Sequence, residues 1–133
     1  MTLRILLLAL FSLALQSFAP ELPADYHKLK AEAEKLYTES SFSLAHEGYE
    51  KAAAIELPPA EKRWVEFRLA DTQWRAQAAT QTADTTKLDE AKHRLEVLVR
   101  DITRTEDHDR VWAEVHESLG DFAWTRPNLP NWG

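Results

Sequence analysis

The sequence predicts an all-α protein built of antiparallel helix pairs, and three observations lead there. Only three glycines occur in 133 residues, while Ala, Leu, Glu, Lys, Arg and Gln, the residues that cost least in a helix, dominate. Apolar side chains recur at spacings of three and four rather than in alternation. Small residues at Ala33, Ala45 and Ala52, set among larger Leu, Phe and Tyr, let two helices approach closely.

The first helix runs from about Ala24 to Glu39, with Leu29, Ala33 and Leu36 on one face at i, i+4 and i+7. Ser40-Ser41 interrupts it, and Phe42, Ala45, Tyr49 and Ala52 repeat the pattern in a second helix reaching about Ile55, with Ser41 as its N-cap. Pro58-Pro59 ends the second helix and opens the third, since proline is tolerated in a first helical turn. Trp64, Phe67 and Trp74 form a narrow stripe on that third helix, which fades near Ala78. The polar run from Thr80 to Thr86 lacks periodicity and reads as a loop, with Thr86 and Asp89 resembling a capping box. In the fourth helix Leu88, Ala91, Leu95, Leu98, Val99 and Ile102 fall within an arc of about 100°. Thr103 to Asp107 is the next boundary, where Glu106 and Asp107 suit the positive end of a helix starting near Thr105. The fifth helix carries Trp112, Val115, Leu119 and Phe122, and Pro127 and Pro130 stop it.

These segments make a partial internal repeat. Ala45-x3-Tyr49-x2-Ala52 parallels Ala91-x3-Leu95-x2-Leu98, and Leu69-Ala70 parallels Leu119-Gly120. The layout resembles a tetratricopeptide-type helical hairpin, a unit that stacks with copies of itself and presents a surface to a partner. The resemblance implies a short right-handed tetratricopeptide-like stack of about five helices over residues 20–133. The second unit departs from the standard repeat through an inter-helix loop about nine residues longer. The third unit has only its first helix, so the domain holds roughly two and a half repeats and ends mid-repeat. Trp124 lies about 120° around the fifth helix from Trp112, off the packed stripe, and Trp132 follows in the tail.

The N-terminus reads as an export signal covering residues 1–19. Arg4 precedes an apolar run from Ile5 to Leu15, and Ser17-Phe18-Ala19 places small residues at −3 and −1 of a cleavage site. Pro20 fits poorly at +1, so an uncleaved anchor or a buried N-terminal helix is the competing reading, although the run is short of the about 20 residues that span a bilayer. The chain is therefore expected in the periplasm or cell envelope. Its formal net charge of −6 argues against nucleic acid or an anionic membrane surface as partner. It has no cysteine, which excludes disulfides and an N-terminal lipid-bearing cysteine.

Little in the sequence suggests chemistry. His108, Asp109, His116 and Glu117 are the best metal candidates, but the two histidines stand about 80° and about 12 Å apart on a helix, too far for one ion. His27, His46 and His93 are scattered over three helices as surface or groove residues. Asp71 interrupts the apolar stripe between Phe67 and Trp74. It is either an isolated buried acid with a raised pKa or a partner of Arg68 at i−3 or Arg75 at i+4, and the pairing is favoured. No Gly-rich phosphate loop exists, and Ser40-Ser41 has no nearby base. Trp64, Trp74 and Trp112 are expected in the core. No catalytic, cofactor-binding or metal residue is assigned, and no enzymatic activity is expected.

Two segments carry a more particular resemblance. They are Arg63-Trp64-Val65-Glu66-Phe67-Arg68-Leu69-Ala70-Asp71-Thr72-Gln73-Trp74-Arg75 and Asp109-Arg110-Val111-Trp112-Ala113-Glu114-Val115-His116-Glu117-Ser118-Leu119-Gly120-Asp121-Phe122, followed by Asn131-Trp132-Gly133. Together they resemble the tetratricopeptide-like region that follows the signal peptide in some very large bacterial α2-macroglobulin-like proteins. The resemblance implies an envelope protein whose later domains trap proteases. That activity does not transfer, because the family's thioester needs a Cys that this chain lacks. What carries over is a docking or spacing role. The expected function is non-enzymatic protein–protein interaction, with an inner groove lined by the first helices meeting a peptide segment or a neighbouring domain. The alternative is a small periplasmic helical bundle that binds a metal or small ligand through its His, Asp and Glu side chains.

Overall fold

The structure, a computed structural model, describes residues 21–129. Residues 1–19, where the export signal is expected, together with Pro20, Pro130 and Trp132 lie outside the described residues. Five α-helices follow one another: α1 (Ala24–Thr38), α2 (Phe42–Ala53), α3 (Pro59–Ala78), α4 (Thr85–Val99) and α5 (Arg110–Thr125). Short 3-10 turns at Thr105–Asp107 and Arg126–Asn128 complete the described secondary structure. The all-α prediction holds.

Each helix packs on the next, and α3 also packs on α5. Short connections make neighbours antiparallel. Hence α1, α3 and α5 run parallel, as their contacts show: Lys30 meets Glu61 and Glu34 meets Arg68, while Arg63 meets Asp109 and Arg75 meets Asp121.

Two apolar cores lie on opposite sides of α3. Tyr26, Ala33, Ala45, Tyr49, Ala52 and Val65 form one with α1 and α2, and Trp64, Phe67, Ala70 and Trp74 join α4 and α5 in the other. The Ala-rich α1–α2 contact is as close as the sequence implies. A Cβ added at Gly48 would lie 3.0 Å from the Ala33 Cβ.

The α1–α2 turn is a Schellman closure. Ser41 N–H donates to the Leu36 carbonyl and Ser40 N–H to that of Tyr37, both at 2.9 Å, with Ser40 at φ 60°. Ser41 stands at the N-cap of α2 but makes no side-chain cap bond, while its N–H closes α1. The α3 boundaries fall where the sequence puts them, with Pro59 at N1.

Three expectations need correction. The cap of α4 is Asp84, not Thr86: the Asp84 carboxylate accepts from Thr86 N–H at 3.0 Å, and Gln77 Oε1 accepts Asp84 N–H at 3.0 Å. The second unit's inter-helix loop is not about nine residues longer than a standard one. The connection spans only 79–84, and α3 itself has 20 residues against 15 in α1. Finally, α5 begins at Arg110 rather than near Thr105. Asp109 is extended, caps Trp112 N–H at 2.8 Å and is held by Arg63 Nη1 at 3.3 Å, while Arg63 Nη2 donates to the Leu98 carbonyl near the end of α4.

Starting α5 there turns its buried face to Val111, Val115, Ser118 and Phe122. Leu119 packs at the edge of that core, and Trp112 leaves it. The expectation of a core Trp112 is therefore overturned, whereas Trp64 and Trp74 are buried as predicted.

Candidate functional site

A polar seam crosses the face shared by α1, α3 and α5. Its first hub is Glu34. The carboxylate accepts from Tyr49 Oη (2.6 Å), Trp64 Nε1 (3.0 Å), Arg68 Nε (3.1 Å) and Arg68 Nη2 (2.9 Å). Burial alone would raise its pKa, but these bonds and the Arg68 charge outweigh it and hold the group below the ordinary value of 4.5. Arg68 in turn lies 3.8 Å over the Tyr37 ring.

The second hub is Asp71, which is fully buried. It accepts from Arg75 Nε at 2.9 Å and Ser118 Oγ at 2.5 Å, with Arg68 Nη1 at 3.9 Å. Pairing, rather than isolation, is what the structure shows for this acid. Ser118 also accepts Trp74 Nε1 at 2.9 Å, and Arg75 Nη2 reaches Asp121 at 2.8 Å.

These contacts repeat. Each first helix carries a small residue, an acid, two variable positions and an aromatic: Ala33-Glu34-x2-Tyr37, Ala70-Asp71-x2-Trp74 and Gly120-Asp121-x2-Trp124. In the first two, acid and aromatic both engage one residue of the following first helix, Arg68 or Ser118. That residue sits three positions before its own helix's acid. The paired Leu and small residue were visible in the sequence, but the acid and aromatic that complete the motif were not recognised. The signal that could have found them is the spacing itself.

At the N-terminal end of this face a depression of about 400 Å³ is bordered by Lys30, Glu61, Trp64, Asp109 and Arg110. Arg110 lies 4.5 Å over the Trp64 ring. Tyr26 donates to Glu61, which also accepts Lys30 Nζ at 2.9 Å.

On the other side of α3, a groove runs between α2 and α4. Three adjoining recesses of about 690, 510 and 300 Å³ share Arg94 as a lining residue. Ile55, Leu57, Val65 and Leu69 line the largest, and Val97, 47% exposed, lies in the smallest. Arg94 Nη1 donates to Gln73 Oε1 at 2.9 Å, and among the described residues this guanidinium makes no ion pair. His46 borders the middle recess. Its Nδ1 is 2.9 Å from Thr72 Oγ1, and burial pulls its pKa down.

The histidines of the candidate metal set, His108 and His116, are arranged otherwise. His108 stacks on Trp112 at 3.7 Å between ring centres and 9° between planes, and His116 packs against the same indole at 4.4 Å with its ring tilted by 59°. Both imidazoles are thus engaged with one indole, Asp109 caps α5, and Glu117 is exposed. Among the described residues no three His, Asp or Glu side chains converge as a metal site. His27 and His93 are exposed. Trp124 is 80% exposed, off the packed face as the sequence indicates. No described helix is long and apolar enough to cross a membrane.

With this geometry in hand, comparison with known proteins adds no relative: the chain matches no described protein family, no curated protein and no solved structure.

Proposed function

We propose that this chain is a non-enzymatic protein-interaction module of the bacterial envelope, an exported helical scaffold forming the N-terminal part of a larger α2-macroglobulin-like protein. The partner is a peptide segment or a neighbouring domain, and it lies in the groove between α2 and α4. The observation that carries this reading is Arg94, a half-buried guanidinium without an ion pair among the described residues, beside an apolar recess of about 690 Å³. An extended segment offering an apolar side chain and an oxygen acceptor matches that pairing of surfaces. The first-helix face supports the choice of groove, because Glu34, Arg68, Asp71 and Arg75 bind one another there.

The test is photo-crosslinking in cells from a photoreactive amino acid placed at Val97, with Glu32 on α1 as the control position. A discrete protein adduct in the envelope fraction from position 97, and none from position 32, is the expected result. No adduct, or a product confined to the cytosol, overturns the reading.

A further inference from the structure

The middle recess of the α2–α4 groove holds two acceptors that face each other without a proton between them. Thr72 donates its hydroxyl proton to the Arg68 carbonyl one turn back, at 2.7 Å. In the 2.9 Å contact between His46 Nδ1 and Thr72 Oγ1 the ring nitrogen is therefore the donor. The Leu69 carbonyl lies against the same ring as a second acceptor. Burial holds the imidazole below its ordinary 6.5, against the opposing charge of Glu50. At neutral pH one nitrogen thus carries the proton, and Nε2 is left as a lone pair. That lone pair lies 3.7 Å from Glu50 Oε1. Two acceptors so close repel unless one donor serves both.

The charge around them has the same sign. Glu47 and Glu90 line the recess with Glu50. Among the described residues no lysine or arginine comes within ion-pair distance of any of the three. The cations of this recess, Lys87 and Arg94, both stand on α4, opposite the acceptor pair on α2.

We propose, resting on the α2–α4 groove as the docking site, that the partner segment carries a lysine or arginine whose cationic head donates to both His46 Nε2 and Glu50, while its oxygen acceptor meets Arg94. A donor group about 2.9 Å from each acceptor bridges the gap between them. A metal ion fits less well, because the pair supplies two ligands where tetrahedral zinc takes four, and no three His, Asp or Glu side chains converge among the described residues. The recess of about 690 Å³ beyond Arg94 takes the apolar side chain of the same segment. The partner is then a segment of mixed apolar and basic character.

The test uses the full chain with the photoreactive residue at Val97. Glu50→Gln should lower the yield of the protein adduct about threefold, and Glu50→Lys at least about tenfold. Glu50 is exposed, so helix content should be retained in both. Glu32→Lys makes the same change in net charge outside the groove and should leave the yield unchanged. Mass spectrometry of the digested adduct should find a lysine or arginine within about six residues of the crosslinked position, a reach of about 20 Å in extended chain. Equal yields from Glu50→Lys and Glu32→Lys, a crosslinked segment without a basic residue in that span, or an internal crosslink to residues 1–20 overturns the proposal with the groove still occupied. No adduct with Glu50 in place fails the groove itself, and the proposal with it.

Discussion

Replacing Glu34 by alanine offers the most direct probe of the polar seam. Three donors converge on this carboxylate from other helices, and all three belong to buried residues: Tyr49, Trp64 and Arg68. Truncation leaves the tyrosine hydroxyl and the indole N–H unpaired, at about 1 kcal/mol each because the carboxylate's partial exposure lets water in. The guanidinium loses a two-pronged partner and keeps only Asp71 at 3.9 Å, worth about 2 kcal/mol more. The expected loss is about 4 kcal/mol, a large share of the about 5–15 kcal/mol that holds a domain of this size together. Glu34→Gln retains one acceptor oxygen and should lose about 2 kcal/mol. Glu32→Ala, on the exposed face of the same helix, should stay within about 0.5 kcal/mol. Urea unfolding followed by circular dichroism measures all three. If Glu34→Ala costs no more than Glu32→Ala, the seam is a surface decoration and the reasoning is wrong.

Further outcomes follow from the backbone and from titration. Ser40→Gly relieves a left-handed residue at φ 60° and should stabilise by about 1 kcal/mol in the same unfolding assay. Two glycine-to-alanine changes should move in opposite directions. Gly120→Ala gains about 1 kcal/mol of helix propensity in open space, whereas Gly48→Ala meets the buried Ala33 Cβ at 3.0 Å and should cost about 1 kcal/mol net. Glu34 and Glu61 are both held below 4.5, because hydrogen bonds outweigh their burial. The stability they contribute is present above that pH and is lost as the pH falls through their depressed folded values, seen as a falling Tm in acid. All three tyrosines are raised above 10, chiefly by burial, with Tyr37 pushed up to about 12 and Tyr26 and Tyr49 higher still. Their contribution is complete below pH 10 and fades as pH climbs through the folded values. Phenolate absorbance should therefore appear together with loss of helix, and a tyrosine titrating near pH 10 in the folded chain would contradict this.

How far the sequence could be read depended on whether a signal was local. Proline at 58–59 and the Ser40-Ser41 break fixed α1 to α3, since both act within one turn. The start of α5 was not readable because Glu106 and Asp107 equally suit a helix start near Thr105, and the choice of Asp109 as cap is tied to Arg63, more than forty residues earlier. Trp112 was misplaced for a related reason. Val111 and Trp112 are both apolar neighbours about 100° apart, and what selects the valine is Ser118. Ser118 looks like a surface residue until Asp71 and Trp74 claim both of its hydrogen-bonding roles. Asp71 itself was legible as a pair with Arg75 one turn away, but its bond to α5 was not. The α2–α4 groove could not be anticipated at all, since a space between helices leaves no mark on either.

The division of the interior by α3 has a consequence for how the chain comes apart. Val65 belongs to one core, while Trp64 and Phe67 belong to the other, and among the described residues no second α-helix contributes buried residues to both. Loosening α1 and α2 therefore leaves the α3–α5 core standing, although the reverse loss removes the wall on which α1 and α2 rest. Amide hydrogen exchange should resolve two cooperative units of unequal rank, with α3 protected longest and α1–α2 opening first.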